Sequence, residues 1–219
     1  MDSTKVSQFD PNLVLWLRMQ EGPNPVAFDY SGASNHGKIL GTTMWSSPGL
    51  YFDGSTNSDE VDVNNSFNLD KMTVCFWMKS SDEIVNTDKF IIGTEANIGF
   101  QIIGGVLGRI RAAVRTSYVE TTTHILGEDV WFFITLTYDT SLVNANVKLY
   151  VNGVLEDTAD GTEPLTTTQI LKVGGWTRIV PPSTNHYTGY LDDVRIYNCV
   201  QSPEWFNSTF QSTRSKYGV

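Results

Sequence analysis

Apolar positions in this chain come in short runs of Val, Ile, Phe, Tyr, Trp and Thr, cut apart by Gly, Asn, Asp and Ser, and almost never at helical spacing. Each run is of strand length and rich in the β-branched and aromatic residues that suit a pleated sheet. The pattern predicts strands over residues 13–19, 37–40, 50–52, 60–63, 72–79, 90–93, 99–103, 109–114, 131–138, 146–151, 154–156, 170–173 and 187–197. In the fifth of these, Met72, Val74, Phe76 and Met78 share one face while Thr73, Cys75 and Trp77 share the other, which marks a strand covered on both sides. Asn152-Gly153 between two runs supplies the two positive-φ residues of a type I′ hairpin. Near the end, Ser202 followed by Pro203 reads as the start of a short helix, with Trp205 and Phe206 placed to dock it on the sheets. The polar stretches 80–89 and 177–185 read as loops, and loops of that kind often bind ligands.

One strand breaks the pattern. Gly189-Tyr-Leu-Asp-Asp-Val-Arg-Ile-Tyr197 carries two adjacent carboxylates, Asp192 and Asp193, in its interior. Buried ionised acids are costly unless a cation, a metal or several donors compensate them, so the segment asks for a partner elsewhere in the chain. Polar loops lie far upstream at Asp29–Gly37 and Gly49–Gly54, rich in the oxygen ligands that a hard divalent cation prefers.

Length and charge narrow the picture. At 219 residues and 40% hydrophobic, one large core in one domain is the expectation. There are 15 basic and 24 acidic residues, net −9, with no basic run, which argues against a nucleic-acid partner. Cys75 and Cys199 lack zinc spacing and read as free thiols. Residues 1–10 have no charged segment followed by an apolar core, so no signal peptide is read there, and no stretch approaches the roughly 20 apolar residues of a membrane span.

Taken in order, the Asp29-Tyr-Ser-Gly-Ala-Ser-Asn35-His-Gly37 loop, Leu50-Tyr-Phe-Asp-Gly54, Met72-Thr-Val-Cys-Phe-Trp-Met-Lys79, Trp131-Phe-Phe-Ile-Thr-Leu-Thr-Tyr-Asp139, Lys148-Leu-Tyr-Val-Asn-Gly153 and the Gly189–Tyr197 strand resemble the laminin G-like, concanavalin A-like jelly-roll family. The resemblance runs over residues 13–206, leaving 1–12 as an N-terminal extension and 207–219 as a C-terminal tail. It implies an all-β, two-sheet antiparallel sandwich with six or seven strands per sheet. It also implies a structural calcium held by Asp29, the Gly54 carbonyl and Asp192, with Asn35 as a fourth ligand; a metal-free network of hydrogen bonds is the alternative. Asp193 could instead face Arg195, two residues on.

Some members of the wider superfamily hydrolyse β-glucans with Glu-x-Asp-x-x-Glu on one strand, two carboxylates of which do the chemistry. Here Glu60-Val-Asp62-Val-Asn64-Asn65 lacks the third acid, and the simpler reading is an edge strand with solvated acids. His36, His124 and His186 stand in no nucleophile motif and read as surface residues. No Gly-rich phosphate loop is present. A sugar site needs an exposed aromatic ring beside polar groups. Trp45, Tyr118, Trp176 and Tyr187 all fall at strand ends or in loops, and Trp176 with Arg178, Asn185 and Tyr187 is the preferred cluster because both flanks of one loop bring it together. Sequons at Asn64 and Asn207 are too common to imply glycosylation.

The expectation is therefore a non-catalytic recognition or adhesion module outside the cell or on a particle surface, binding a glycan or glycosylated surface. A structural component of a virus particle, contacting other structural proteins, and a polysaccharide-active enzyme are the alternatives.

Overall fold

The computed structural model describes residues 10–55, 59–81, 88–94, 98–161, 163–175 and 186–219. In chain order the strands are β1 (Leu13–Leu17), β2 (Val26–Ala27), β3 (Gly37–Ile39), β4 (Met44–Trp45), β5 (Leu50–Phe52), β6 (Val61–Val63), β7 (Lys71–Ser80), β8 (Lys89–Gly93), β9 (Phe100–Gly104), β10 (Ile110–Val114), β11 (Ser117–Glu120), β12 (Trp131–Asp139), β13 (Val147–Val151), β14 (Val154–Ala159), β15 (Leu171–Val173) and β16 (Gly189–Tyr197). One helix, α1 (Pro203–Thr213), follows, and a single 3-10 turn over Arg214–Tyr217 continues it.

They form two antiparallel sheets of eight strands each among the described residues. The first runs β14-β13-β12-β7-β16-β5-β4 with β1 also on β16; the second runs β11-β10-β9-β8-β15-β6-β3-β2. All thirteen expected strands are present. Three short ones, β2, β4 and β11, were not expected, because two to four residues are too few to show a period of two.

β7 sits between β12 and β16, as its two apolar faces require. Met72, Val74, Phe76 and Met78 point into the core between the sheets, whereas Cys75 and Trp77 belong to a second cluster on the outer side. That second cluster exists because the chain's end folds back over it. Phe210 and Tyr217 lie over Trp77, the Tyr217 ring stacked at 4.1 Å, and Trp131 packs on Tyr217 at 4.9 Å. Residues 207–219, expected as a tail, thus roof the first sheet and bury its aromatic outer face. Ser202 caps α1 as expected, its Oγ accepting from the Trp205 backbone N–H at 3.3 Å, and the β13–β14 hairpin turns on Asn152 and Gly153 at φ 52° and 81°.

β16 contains the feature that the sequence pattern hides. Asp192 pairs with Trp77 and Arg195 with Cys75, so Asp193 and Val194 together oppose Phe76, and Asp193 takes φ 54°. This bulge inserts one residue into the alternation. Leu191, Val194 and Ile196 consequently face the core while both acids are turned out of it.

Candidate functional site

The bulge coincides with a change of neighbour along the opposite edge of β16. Gly189–Leu191 pair with β5, and Val194–Tyr197 pair with β1. The two partner strands leave a gap opposite Asp192 and Asp193, and the chain leaving β1 and the turn entering β5 diverge around it. Gly49 fits there because a Cβ would stand 2.4 Å from the Leu191 carbonyl oxygen and 2.9 Å from the Asp192 side chain, with φ at +98°.

The two acids are compensated from within the chain. Asp193 takes a bidentate pair from Arg195, Nε at 2.9 Å and a terminal nitrogen at 2.7 Å, and the Trp16 indole N–H donates to it at 2.7 Å. The Arg195–Asp193 pairing expected from sequence is present, although the bulge rather than regular alternation produces it. Burial would lower the Arg195 pKa, but the Asp193 carboxylate leads the effects that raise it above its usual value. Asp192 is fully buried. One oxygen accepts from Lys216 Nζ and from the Tyr217 hydroxyl at 2.8 Å; the other accepts from Gln20 Nε2 at 3.3 Å and the Asp193 backbone N–H at 2.9 Å. Desolvation pushes the Asp192 pKa up, opposed by Lys216 and the hydrogen bonds.

The Asp29, Asn35 and Asp192 side chains expected to hold calcium are engaged in hydrogen bonds within the chain. Asp29 accepts from the backbone N–H groups of Trp16 (2.8 Å), Ser31 (2.9 Å) and Asn35 (2.8 Å) and from the Ser31 hydroxyl (2.8 Å). Four donors fill the four lone-pair directions of a carboxylate. The Asn35 amide donates to the Val14 carbonyl at 2.8 Å and accepts from Asn65 at 3.1 Å. Gly54, at φ +63°, lies against Thr188, and Asp53 before it accepts from the Ser55 N–H at 2.8 Å. Asp29 and Asp192 share no hydrogen-bond partner in these networks. Among the described residues no group of three or more His, Cys, Asp or Glu side chains is placed to hold a metal.

Around the gap opens a cleft of about 480 Å³. The segment after β1 (Met19, Gln20, Gly22, Pro23) forms one wall, the β4–β5 turn (Trp45 to Gly49) the other, and Lys216 closes the end. The Trp45 indole N–H donates to the Asn24 carbonyl at 2.8 Å, which fixes the ring, and the ring's inner edge packs on the core. Lys216 has a third N–H beyond its bonds to Asp192 and Tyr217, and its side chain is 38% exposed. Trp45 was among the rings singled out from sequence. Gln20, Ser46, Ser47 and Lys216 were not; Ser-Ser-Pro-Gly after a tryptophan is a turn signal that could have drawn attention to the β4–β5 wall, whereas nothing local announces a lysine from the chain's end.

The other candidates are placed as follows. Trp176, Arg178 and Asn185 lie outside the described residues. Tyr187 is 0% exposed and donates its hydroxyl to the Lys79 and Tyr190 carbonyls at 2.8 and 3.1 Å, so it is a core residue that cannot present its ring to a sugar. Tyr118 is exposed on β11. His186, expected at the surface, is buried at 2% exposure, and burial holds its pKa below the ordinary value. His36 serves the loop, its Nδ1 accepting from the Asp29 N–H at 2.9 Å. Glu60 and Asp62 are not solvated acids on an edge: β6 lies between β3 and β15, and both acids bind Lys172 Nζ, at 2.8 and 2.6 Å. Asn65, at the position where a third acid would stand, accepts from the Phe67 N–H at 3.0 Å and donates to Asn35.

Residues 52–205 match the family model of the concanavalin A-like lectin/glucanase superfamily, laminin G type. The chain belongs to that superfamily. No curated protein sequence matches it. Solved structures with the same fold include the receptor-binding domain of botulinum neurotoxin C/D mosaic serotype (TM-score 0.69, 18% identity). The serotype D ligand-binding domain in complex with N-acetylneuraminic acid (TM-score 0.70, 19% identity) is another, as is the neurotoxin DC binding domain in complex with rat synaptotagmin II (TM-score 0.69, 18% identity). Each alignment covers 92% of this chain and 51% of the other, so this lectin-like sandwich spans about half the length of those binding domains. Among the described residues no helix is long and apolar enough to cross a membrane.

Proposed function

We propose that this member of the superfamily is a non-catalytic recognition module that binds carbohydrate in the cleft beside Trp45, on a glycan or glycosylated surface outside the cell. The observation that carries the reading is the cleft itself: a tryptophan locked in orientation faces amide, hydroxyl and ammonium groups across a space of about 480 Å³. Sugars stack their C–H faces on such rings and pair their hydroxyls with such groups, and the volume suits a mono- or disaccharide. Membership of a lectin-containing superfamily and a neighbour whose structure was solved with a bound sugar support it.

The way Glu60 and Asp62 are held supports the non-catalytic reading. A general acid must reach the glycosidic oxygen. Glu60 instead has a side chain only 3% exposed and shares one lysine with Asp62. The reading does not depend on calcium, since Arg195 and Lys216 pair with the two acids of β16.

A glycan array followed by calorimetric titration tests the proposal. Trp45→Ala is expected to weaken the best ligand about tenfold, the size of one lost aromatic contact. A folded wild-type protein that binds no glycan, or a Trp45→Ala protein that binds as well as wild type, overturns it.

A further inference from the structure

Resting on that assignment of the cleft, we infer that its saccharide is neutral, and that the site discriminates against sialylated and uronic-acid sugars. Lys216 is the one cation among the cleft's lining residues, and the inference turns on where its charge goes. Its ammonium lies against the buried Asp192 carboxylate, so the pair presents a dipole to the cleft instead of a net positive charge. Glu21 stands between the lining residues Gln20 and Gly22 without itself lining the cleft, and one of its oxygens accepts from the Gln20 N–H at 3.0 Å. The ion pair therefore leaves the cleft without an uncompensated positive charge.

The protein's overall balance, net −9, adds to this field. A ligand carboxylate entering the cleft would shed water to meet one N–H of a lysine already spoken for, with Asp192 directly behind it. A hydroxyl loses less and gains the same hydrogen bond. The remaining polar groups agree, since Gln20, Ser46 and Ser47 carry amide and hydroxyl groups suited to sugar hydroxyls, and no arginine lines the space to grip a carboxylate in a fork.

The test uses the full chain and matched pairs of oligosaccharides that differ only by an acidic cap: lactose against sialyllactose, and glucose-terminated against glucuronate-terminated glycans, by titration in about 20 mM and 200 mM salt. The neutral member of each bound pair should be favoured about tenfold at low salt, with the gap narrowing as screening grows. Asp192→Asn uncovers the Lys216 charge and should raise affinity for the acidic member about threefold to tenfold while leaving the neutral member within about twofold. Glu21→Gln, which disturbs no ion pair, should shift the ratio in the same direction and serves if Asp192→Asn does not fold. Acidic sugars binding as tightly as neutral ones, or tighter, overturn the inference while leaving carbohydrate binding intact. No binding by either class removes the assignment of the cleft itself.

Discussion

Replacing Lys216 by Met tests whether the buried carboxylate on the bulge depends on the chain's end. Met keeps most of the aliphatic stem and removes the charge. Stripping one partner from a fully buried ion pair costs about 3–5 kcal/mol, because the other charge is stranded. Lys216 is 38% exposed, however, and pairs at the surface are worth only about 0.2–1 kcal/mol. Asp192 also retains three donors, from Gln20, Tyr217 and the Asp193 backbone. Between these limits the expected loss is about 1.5–3 kcal/mol, or roughly 4–10 °C in Tm for a chain of this size.

Protonation sets a ceiling on that loss. Because burial raises the Asp192 pKa, the folded state holds the proton more tightly than the unfolded chain. Its favourable contribution is therefore complete below the ordinary carboxylate value and is lost as pH rises through the folded value. Losing Lys216 raises that folded value further, so the Lys216→Met deficit should shrink as pH falls from 7 toward 5. Urea denaturation of the two single variants, Lys216→Met and Asp192→Asn, and of the double variant closes a cycle. A coupling of at least about 1 kcal/mol is expected, whereas additivity within about 0.3 kcal/mol would refute the account of Asp192 given above.

Two further outcomes follow from the same physics. His186 is held neutral by burial among Glu60, Asp59 and Lys89, so stability should fall as pH drops below about 6.5, where the unfolded chain takes up the proton and the folded state resists it; urea midpoints of wild type and His186→Gln between pH 7 and 5 should diverge, and parallel curves would count against it. Asp29→Ala strands three backbone N–H groups and a hydroxyl and should cost about 3 kcal/mol, while EDTA leaves the wild-type Tm unchanged; a fall in Tm on chelation, reversed by calcium, would restore a metal to this loop.

The parts of the fold that were legible are those in which side chains obey a regular period. β7 shows its two faces because ten residues alternate without interruption, and the Asn152-Gly153 turn shows itself because few residue pairs accept two positive φ angles. The bulge was illegible for the converse reason. Asp193 is neither Gly nor Asn, and the single inserted residue leaves no mark until the strand is seen against Phe76. Two acids in a strand pointed to a need for compensation, and Lys216 and Arg195 both pair with them. A lysine near the chain's end contacts Asp192 only because Phe210 and Tyr217 anchor that end on Trp77, and such docking depends on the aromatic outer face of the first sheet, which no local pattern distinguishes from a core face. For Tyr187, a loop-edge position suggested exposure while its ring and hydroxyl found complete burial. Trp45 was visible as an aromatic beside a turn; its opposing wall was not, since that wall is assembled from segments about 25 and 170 residues away.

The aromatic roof over the first sheet has a consequence for how such a protein can diversify. With that broad surface sealed by α1 and Tyr217, the recognition proposed above falls at a seam between strand ends, where Ser46 and Ser47 ride on a short connection beside Trp45. Substitutions there can retune which molecule is grasped at little thermodynamic risk to the sandwich, so closely related chains could diverge in what they grip while sharing an unaltered architecture.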